Sequence, residues 1–599
     1  MMKLDLNRCW IQFLCLTLPF VWAPVVTGDE PPSRNARDLM GTHPGGPRRV
    51  VGLSETTCVD CHGRAKPASN QELASDIGNR SNDGWILRDE ILTWKDHDPH
   101  YQAFTILLGD QSKLIAKHLG IVDPQGASLV HRDRRCLSCH SSIPVEQMKL
   151  QGDLVQEETH RNPRYTIGVS CEACHGPAGR RADGAEGWGA AHARPRDQDD
   201  PDSWWRTLSP QRKFEDFGYW DVHSTRTQTR VCLSCHVGNV EQQKVITHEM
   251  YAAGHPPLPG FELSQFVHQM PRHWRRLDEK NKPVRDAFVE RSNQLRPKGD
   301  APLVVDPDEV AVTKATMIAA LVTLEESMHL TADLIDRSPA PGTPIPAAAA
   351  QWPELANYAC FACHHELQRD GWRQLRRLTA TPGRPTLHEW PLALSRVVAA
   401  TLQENDAEFQ FQAEIDGVAA ALNSRPYGNS AELKGAATAL ANAAELRSRK
   451  LAAMTIDRDR AQDFLKHLAQ TAAAEDVDYD SARQFVWAYE RTHARLVATT
   501  RPVGSQEPPT GSAVPTEWIG GNPILKELDE SLILWLPRNR TDRVPVEIFV
   551  GDQRIDGRTQ LPVDIGRALQ KSAAYHPKPI RAAFQELQQL PPTTTAPRK

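Results

Sequence analysis

Residues 136–140 read Cys136-Leu137-Ser138-Cys139-His140, and residues 171–175 read Cys171-Glu172-Ala173-Cys174-His175. Two thiols three positions apart, with a His directly behind the second, form the attachment signature of covalent haem. The thiols add to two vinyl groups on one edge of the porphyrin, and the His reaches beneath the ring to the iron. Three further copies stand at Cys58-Val59-Asp60-Cys61-His62, Cys232-Leu233-Ser234-Cys235-His236 and Cys360-Phe361-Ala362-Cys363-His364. From the composition, about 0.01 such units are expected by chance. The chain has 12 cysteines, and all except Cys9 and Cys15 fall in these motifs. Five covalently bound haem c groups, each with its iron, are therefore expected, with His62, His140, His175, His236 and His364 as proximal ligands. Disulfides give no reason for a His after every second Cys. Structural zinc sites pair two such units or add a distant His pair, and five units do not pair off.

The first 28 residues set the compartment. Lys3 and Arg8 flank the start, Cys9 to Val26 carries no charge, and Val26-Thr27-Gly28 offers small residues before Asp29. This is the pattern of a signal peptide cleaved after Gly28, with an uncleaved anchor as the alternative. Gln12, Pro19 and Pro24 interrupt the stretch, which is short for a span of about 20 apolar residues. A periplasmic location, or one otherwise outside the cytoplasmic membrane, follows. Over 599 residues the formal net charge is -5, with 24% charged and 40% hydrophobic residues, a soluble composition without a nucleic-acid bias.

The motifs begin 78, 35, 61 and 128 residues apart, which places a pentahaem cytochrome c domain over residues 29–380. Pro- and Gly-containing loops are frequent there, as expected where porphyrins supply much of the apolar core. Val310 to Asp336 is the exception: Met317, Leu321, Leu324 and Met328 recur at helical spacing and predict a long helix. Ser338 to Ala350 reads as a Pro/Ala linker. Residues 381–500 alternate apolar and charged positions at helical spacing, which predicts a haem-free helical bundle. A linker follows over 501–515, then a small C-terminal region over 516–599 with a helix near Ile524 to Leu536, a hairpin across Gly551-Asp552 and a disordered tail after Pro591. The fold class is thus mainly α, with little regular structure besides helices.

What fills the second axial position decides the chemistry: His gives a closed, low-potential carrier, Met raises the potential, and an open position admits a ligand. Of 23 His, 18 lie outside the motifs. Three runs narrow the choice: Trp94-Lys95-Asp96-His97-Asp98-Pro99-His100-Tyr101-Gln102-Ala103-Phe104, Gly168-Val169-Ser170-Cys171-Glu172-Ala173-Cys174-His175-Gly176-Pro177, and Thr247-His248-Glu249-Met250-Tyr251-Ala252-Ala253-Gly254-His255-Pro256. The chain resembles, over about Cys58 to His273, the multihaem cytochromes related to the tetrahaem cytochrome that accepts electrons from hydroxylamine oxidoreductase. Within them it is similar to a pentahaem subgroup, here with a C-terminal helical extension. The resemblance implies His100, His192, His248 and His255 as distal ligands. His248 and His255 are seven apart, so one helix would carry both on one face, two turns apart. His329, on the long helix, is the candidate for the fifth motif, with a helix-face role as its alternative. His97 reads as a pocket residue or a solvated neighbour of Asp96 and Asp98, His365 as a ligand to a neighbouring haem or a polar contact, and Met148, Met250 and Met270 as packing.

No Cys-x-x-Cys-Lys motif, His-Glu-x-x-His, P-loop or dinucleotide glycine pattern is present, and no catalytic residue is assigned. The favoured expectation is an electron carrier working between redox donor and acceptor proteins, with no nucleic acid involved. One alternative is an oxidoreductase acting on a small nitrogen or sulfur compound at a five-coordinate haem. The other is a haem-bearing docking subunit associated with a membrane respiratory complex.

Overall fold

The computed structural model describes residues 58, 62 and 63 and, with gaps, residues 89–364, 381–498, 523–562 and 575–589. The export segment, the Pro/Ala linker, the 501–515 linker, the tail after Pro591 and His365 lie outside the described residues. Seven short helices position the motif segment: α1 Glu90–His97, α2 Asp110–Leu119, α3 Arg134–His140, α4 Cys171–His175, α5 Thr225–His236, α6 His248–Ala252 and α7 Leu263–Gln269. The second, third and fourth motifs lie at the ends of α3, α4 and α5. Helical spacing puts two thiols three residues apart on one side, with the His directly after the second and one turn from the first. The fifth motif begins on a 3-10 turn, Cys360–Ala362.

Polar groups with local partners hold these short helices in place. The Asp133 carboxylate, 1% exposed, accepts the Arg135 backbone N–H at the start of α3 and pairs with the Arg135 guanidinium at 2.7 Å. In α4, buried Glu172 accepts the Ala178 N–H at 2.6 Å, so the acidic residue inside the third motif is a structural brace. Gly168 has φ +84°, and a Cβ there would meet the carbonyl oxygens of Tyr101 and His100 at 2.5 and 2.6 Å. This close approach lets Val169 N–H donate to the His100 carbonyl at 3.0 Å and the Trp94 indole donate to the Val169 carbonyl at 3.0 Å. Two of the three runs that carry the resemblance are therefore stitched to each other. A modest apolar cluster, including Phe104, Leu107, Val130, Leu137 and Ile143, sits beneath them.

The remainder is helical: α8 Ala311–Asp336, α9 Trp390–Gln403, α10 Gln412–Asn423, α11 Ser430–Ala453, α12 Arg458–Ala474, α13 Tyr479–Ala498, α14 Pro523–Leu532 and α15 Pro577–Gln588. Every residue of α8 from Thr316 to Met328 is buried, which makes it a central helix rather than an amphipathic one. It packs most extensively along α11, whose buried Ala437, Ala441 and Ala444 allow close approach, and then against α9 and α5. The long helix that precedes the fifth motif in sequence thus packs with the helices that follow it. One apolar core runs from Leu233, Phe261 and Leu263 beside the fourth motif through α8 to Leu587 of α15. The fold is mainly α. Strands among the described residues are short antiparallel pairs, including the hairpin Ile548–Val550 with Gln553–Ile555 across Gly551-Asp552. No helix among the described residues is long and apolar enough to cross a membrane.

Candidate haem-binding site

Three motif His rings face a second His. His62 faces His192 with ring centres 6.1 Å apart and planes inclined by 22°, His236 faces His100 at 6.4 Å and 89°, and His364 faces His248 at 6.1 Å and 18°. Two imidazoles on opposite sides of one metal ion stand about 6 Å apart, from a metal–nitrogen distance of ~2.0 Å and ~1.1 Å from nitrogen to ring centre. The gap in each pair therefore fits a single ion held by both rings.

Hydrogen bonds select the nitrogen presented to that gap. Nδ1 of His192 donates to the Trp188 carbonyl at 2.9 Å, Nδ1 of His140 to the Ala103 carbonyl at 2.7 Å, and Nδ1 of His255 to the Pro256 carbonyl at 2.8 Å. A carbonyl only accepts, so Nδ1 carries the proton and the Nε2 lone pair is left for a metal. His100 is anchored instead by the Asp98 carboxylate at 2.8 Å, and His62 lies 3.2 Å from the Glu90 carboxylate. Burial lowers the His100 pKa, but the Asp98 hydrogen bond and charge more than offset it and raise it overall. Burial pushes His236 and His255 down to about 4 and lowers His140, which keeps these rings neutral.

His255 lies within electrostatic reach of His140, and its loop is pinned to α2 by Gln111 and His118, which donate to the Gly254 and Ala253 carbonyls at 2.9 and 3.0 Å. The expected shared helix face for His248 and His255 is corrected. α6 ends at Ala252 and Gly254 takes φ +109°, so the chain turns, carrying His248 toward His364 and His255 toward His140. His329 is also displaced as the candidate for the fifth motif. It lies part-buried on α8, whose neighbouring residues are committed to the bundle core, and the ring brought to His364 is that of His248. His97 ends α1 exposed, whereas Met148 and Met250 are buried as packing.

His175 differs. Its ring contacts are Tyr219, stacked at 5.7 Å, and Trp188 at 6.2 Å, and Trp205 closes against Tyr219 at 5.2 Å. Among the described residues no imidazole faces it at the distance found in the three pairs. Its Nδ1 is buried without a hydrogen-bond partner, and burial, with His273 and His223 adding to it, pushes it down to about 3. As site residues, sequence reasoning passed over Trp188, Trp205, Tyr219, His118 and His273, which have no motif around them.

The attachment thiols converge. The Cys139 and Cys235 side chains, from the second and fourth motifs, lie close to each other without a disulfide, and Cys174 lies within electrostatic reach of Cys232 and Cys235. Burial pushes Cys136, Cys174 and Cys232 up to about 12, so they stay thiols rather than metal-binding thiolates. Together with His140, His175 and His236 they lie deep among protein atoms, yet none is closely packed. A central side chain with an open face borders an internal cleft. One such cleft, partly open to solvent and with about 60 Å³ of room inside, is lined by His236, Tyr251, Ser327, Met328, Glu354 and His388. Buried thiols, neutral imidazoles and a cleft beside His236 fit covalently attached haem. No cluster of three or more His, Cys, Asp or Glu among the described residues is arranged to hold a bare metal ion.

Residues 88–176 match the family described as cytochrome c554 and c-prime. The match spans the second and third motifs and the Asp98-Pro99-His100 segment, and it supports a c-type cytochrome with covalently bound haem and a role in electron transfer. No curated protein and no solved structure matches the chain.

Proposed function

We propose that this chain is an exported pentahaem c-type cytochrome that relays single electrons between redox donor and acceptor proteins, most of its haems being held between two imidazoles. The observation that carries this reading is the recurrence of one geometry: three motif His each face a His from a distant part of the chain at 6.1 to 6.4 Å. Bound haem would supply one-electron exchange at its iron. His62 with His192, His236 with His100 and His364 with His248 would close both axial sides, which excludes small ligands and favours low potentials. Asp98 and the Trp188 carbonyl hold His100 and His192 in the required tautomer before any metal arrives. The nearness of Cys139 to Cys235 and of Cys174 to Cys232 supports short transfers among the second, third and fourth motifs. Export rests on the N-terminal charge and apolar pattern together with thioether attachment.

A second reading is favoured at one position. His175 sits in an aromatic box of Trp188, Tyr219 and Trp205 rather than opposite a His, which suits an open iron that binds a small nitrogen or sulfur compound. The test is a pyridine haemochrome count with an electron paramagnetic resonance spectrum of the oxidised protein. One haem per motif with low-spin signals alone supports the relay. A high-spin signal that changes on adding hydroxylamine or nitric oxide moves the assignment to the second reading, and a haem count below the number of motifs overturns both.

A further inference from the structure

An electron that reaches a closed site inside a protein changes the local charge by one, and a nearby buried ionisable group responds by exchanging a proton. α5 carries Arg226 and Arg230 one turn apart and ends on His236. Facing them are Glu325 and Glu326 of α8 and Glu445 and Arg449 of α11. Arg230 binds Glu325 and, at 3.1 Å, Glu326; Glu445 accepts from Arg449 at 2.8 Å and lies 3.5 Å from Arg226. The Glu325 and Arg230 side chains are 3% and 5% exposed.

Three guanidiniums meet three carboxylates, yet one oxygen is left over. Glu325 Oε2 is buried with no hydrogen-bond donor, as is the Nε of Arg226 with no acceptor, and an Arg226 terminal nitrogen stands 3.9 Å from that oxygen. A buried carboxylate oxygen without a donor is where a proton is best accommodated. The same stretch of α8 lines the cavity at His236, through Ser327, Met328 and Thr331. Along α5, six residues from Arg230 to His236 cover about 9 Å.

We propose that Glu325 is a proton-binding site coupled to electron arrival at the His236 site: its carboxylate takes one proton from solvent, at Oε2, as the iron held there gains one electron from the donor, and releases it on oxidation. The inference rests on the relay reading above. Burial pushes the Glu325 carboxyl up, Arg230 and Arg226 pull it down, Glu326 and Glu445 push it up again, and the balance is about 7. At an effective dielectric of ~20, one unit of charge about 12 Å away would change a group's proton affinity about tenfold. Glu445, 15% exposed, and Arg449, 33% exposed, lead from the cluster toward solvent.

The experiment measures haem midpoint potentials against pH on the purified holoprotein, with redox-difference infrared spectra in the carboxyl region. In the wild type one haem component falls with rising pH across neutrality, and a protonated-carboxyl band grows on reduction and shifts in deuterated solvent. Glu325→Gln abolishes both, while Glu326→Gln keeps the pH slope. A slope and band that survive in Glu325→Gln overturn the proposal. If that variant does not fold, the wild-type infrared spectrum decides: no new carboxyl band while every haem reduces overturns the proposal and leaves the relay standing. A protein without reducible haem overturns both.

Discussion

The segment from Glu90 to Gln269 and the helices from Ala311 onward bury their side chains by different means. In the bundle, a central helix buried without interruption from Thr316 to Met328 meets the small residues of α11, and Phe464, Leu468 and Phe485 are closed off by protein alone. In the motif segment the helices are short, the apolar cluster is modest, and the most central side chains keep an open face. Asp133, Glu172 and the Gly168 contact hold that region in shape. The bundle is complete as a polypeptide, whereas the motif segment is a frame whose core includes what it attaches.

The largest expected effect breaks the two apart. Expressed without haem attachment, the chain loses structure over residues 89–270 while α8 to α13 persist, so limited proteolysis cuts the first region and spares the second, with much helical circular dichroism kept. Next comes a cavity in the bundle alone. Phe464→Ala, at a fully buried position, lowers unfolding stability by about 3–5 kcal/mol in urea titration while the haem absorption spectrum of the folded protein stays unchanged.

The smallest effect concerns the polar frame. Asp221, packed beside Lys213 and bonded to His223, is raised by burial but held well below the ordinary carboxylate range by the Lys213 charge and the hydrogen bonds from His223. A depressed folded value contributes stability above the unfolded pKa of about 3.9 and loses it as pH falls through the folded value. Asp221→Asn therefore costs roughly 1–3 kcal/mol at neutral pH, and the difference from wild type shrinks at about pH 3 in denaturant titrations. The apolar bundle core shows no such dependence.

The same contrast explains what the sequence discloses. The five motifs are local: Cys, Cys and His at fixed spacing state their chemistry wherever the chain folds. The long helix is nearly as legible, since Met317, Leu321, Leu324 and Met328 set a period that the structure realises as Ala311–Asp336. The pairing of Ile548–Val550 with Gln553–Ile555 is readable for the same reason. Which imidazole faces which is a tertiary fact. His248 reaches His364 across more than a hundred residues, and Gly254 breaks the helix that spacing suggested, so neither pairing has a signature within reach of a local pattern. The aromatic box at His175 depends on Tyr219, which carries no motif and comes into place by the return of the chain after α4.

The nearness of Cys139 to Cys235 bears on how such a protein is made. Two free thiols from different motifs, close together in the fold, are placed to cross-link wherever the surroundings are oxidising. Biogenesis of an exported chain is then a race between thioether attachment and disulfide formation at the same sulfur atoms, and the productive outcome requires each sulfur to be occupied before α3 and α5 come together. Maturation would run ahead of folding, with the newly translocated chain kept open until its last thiol is spent.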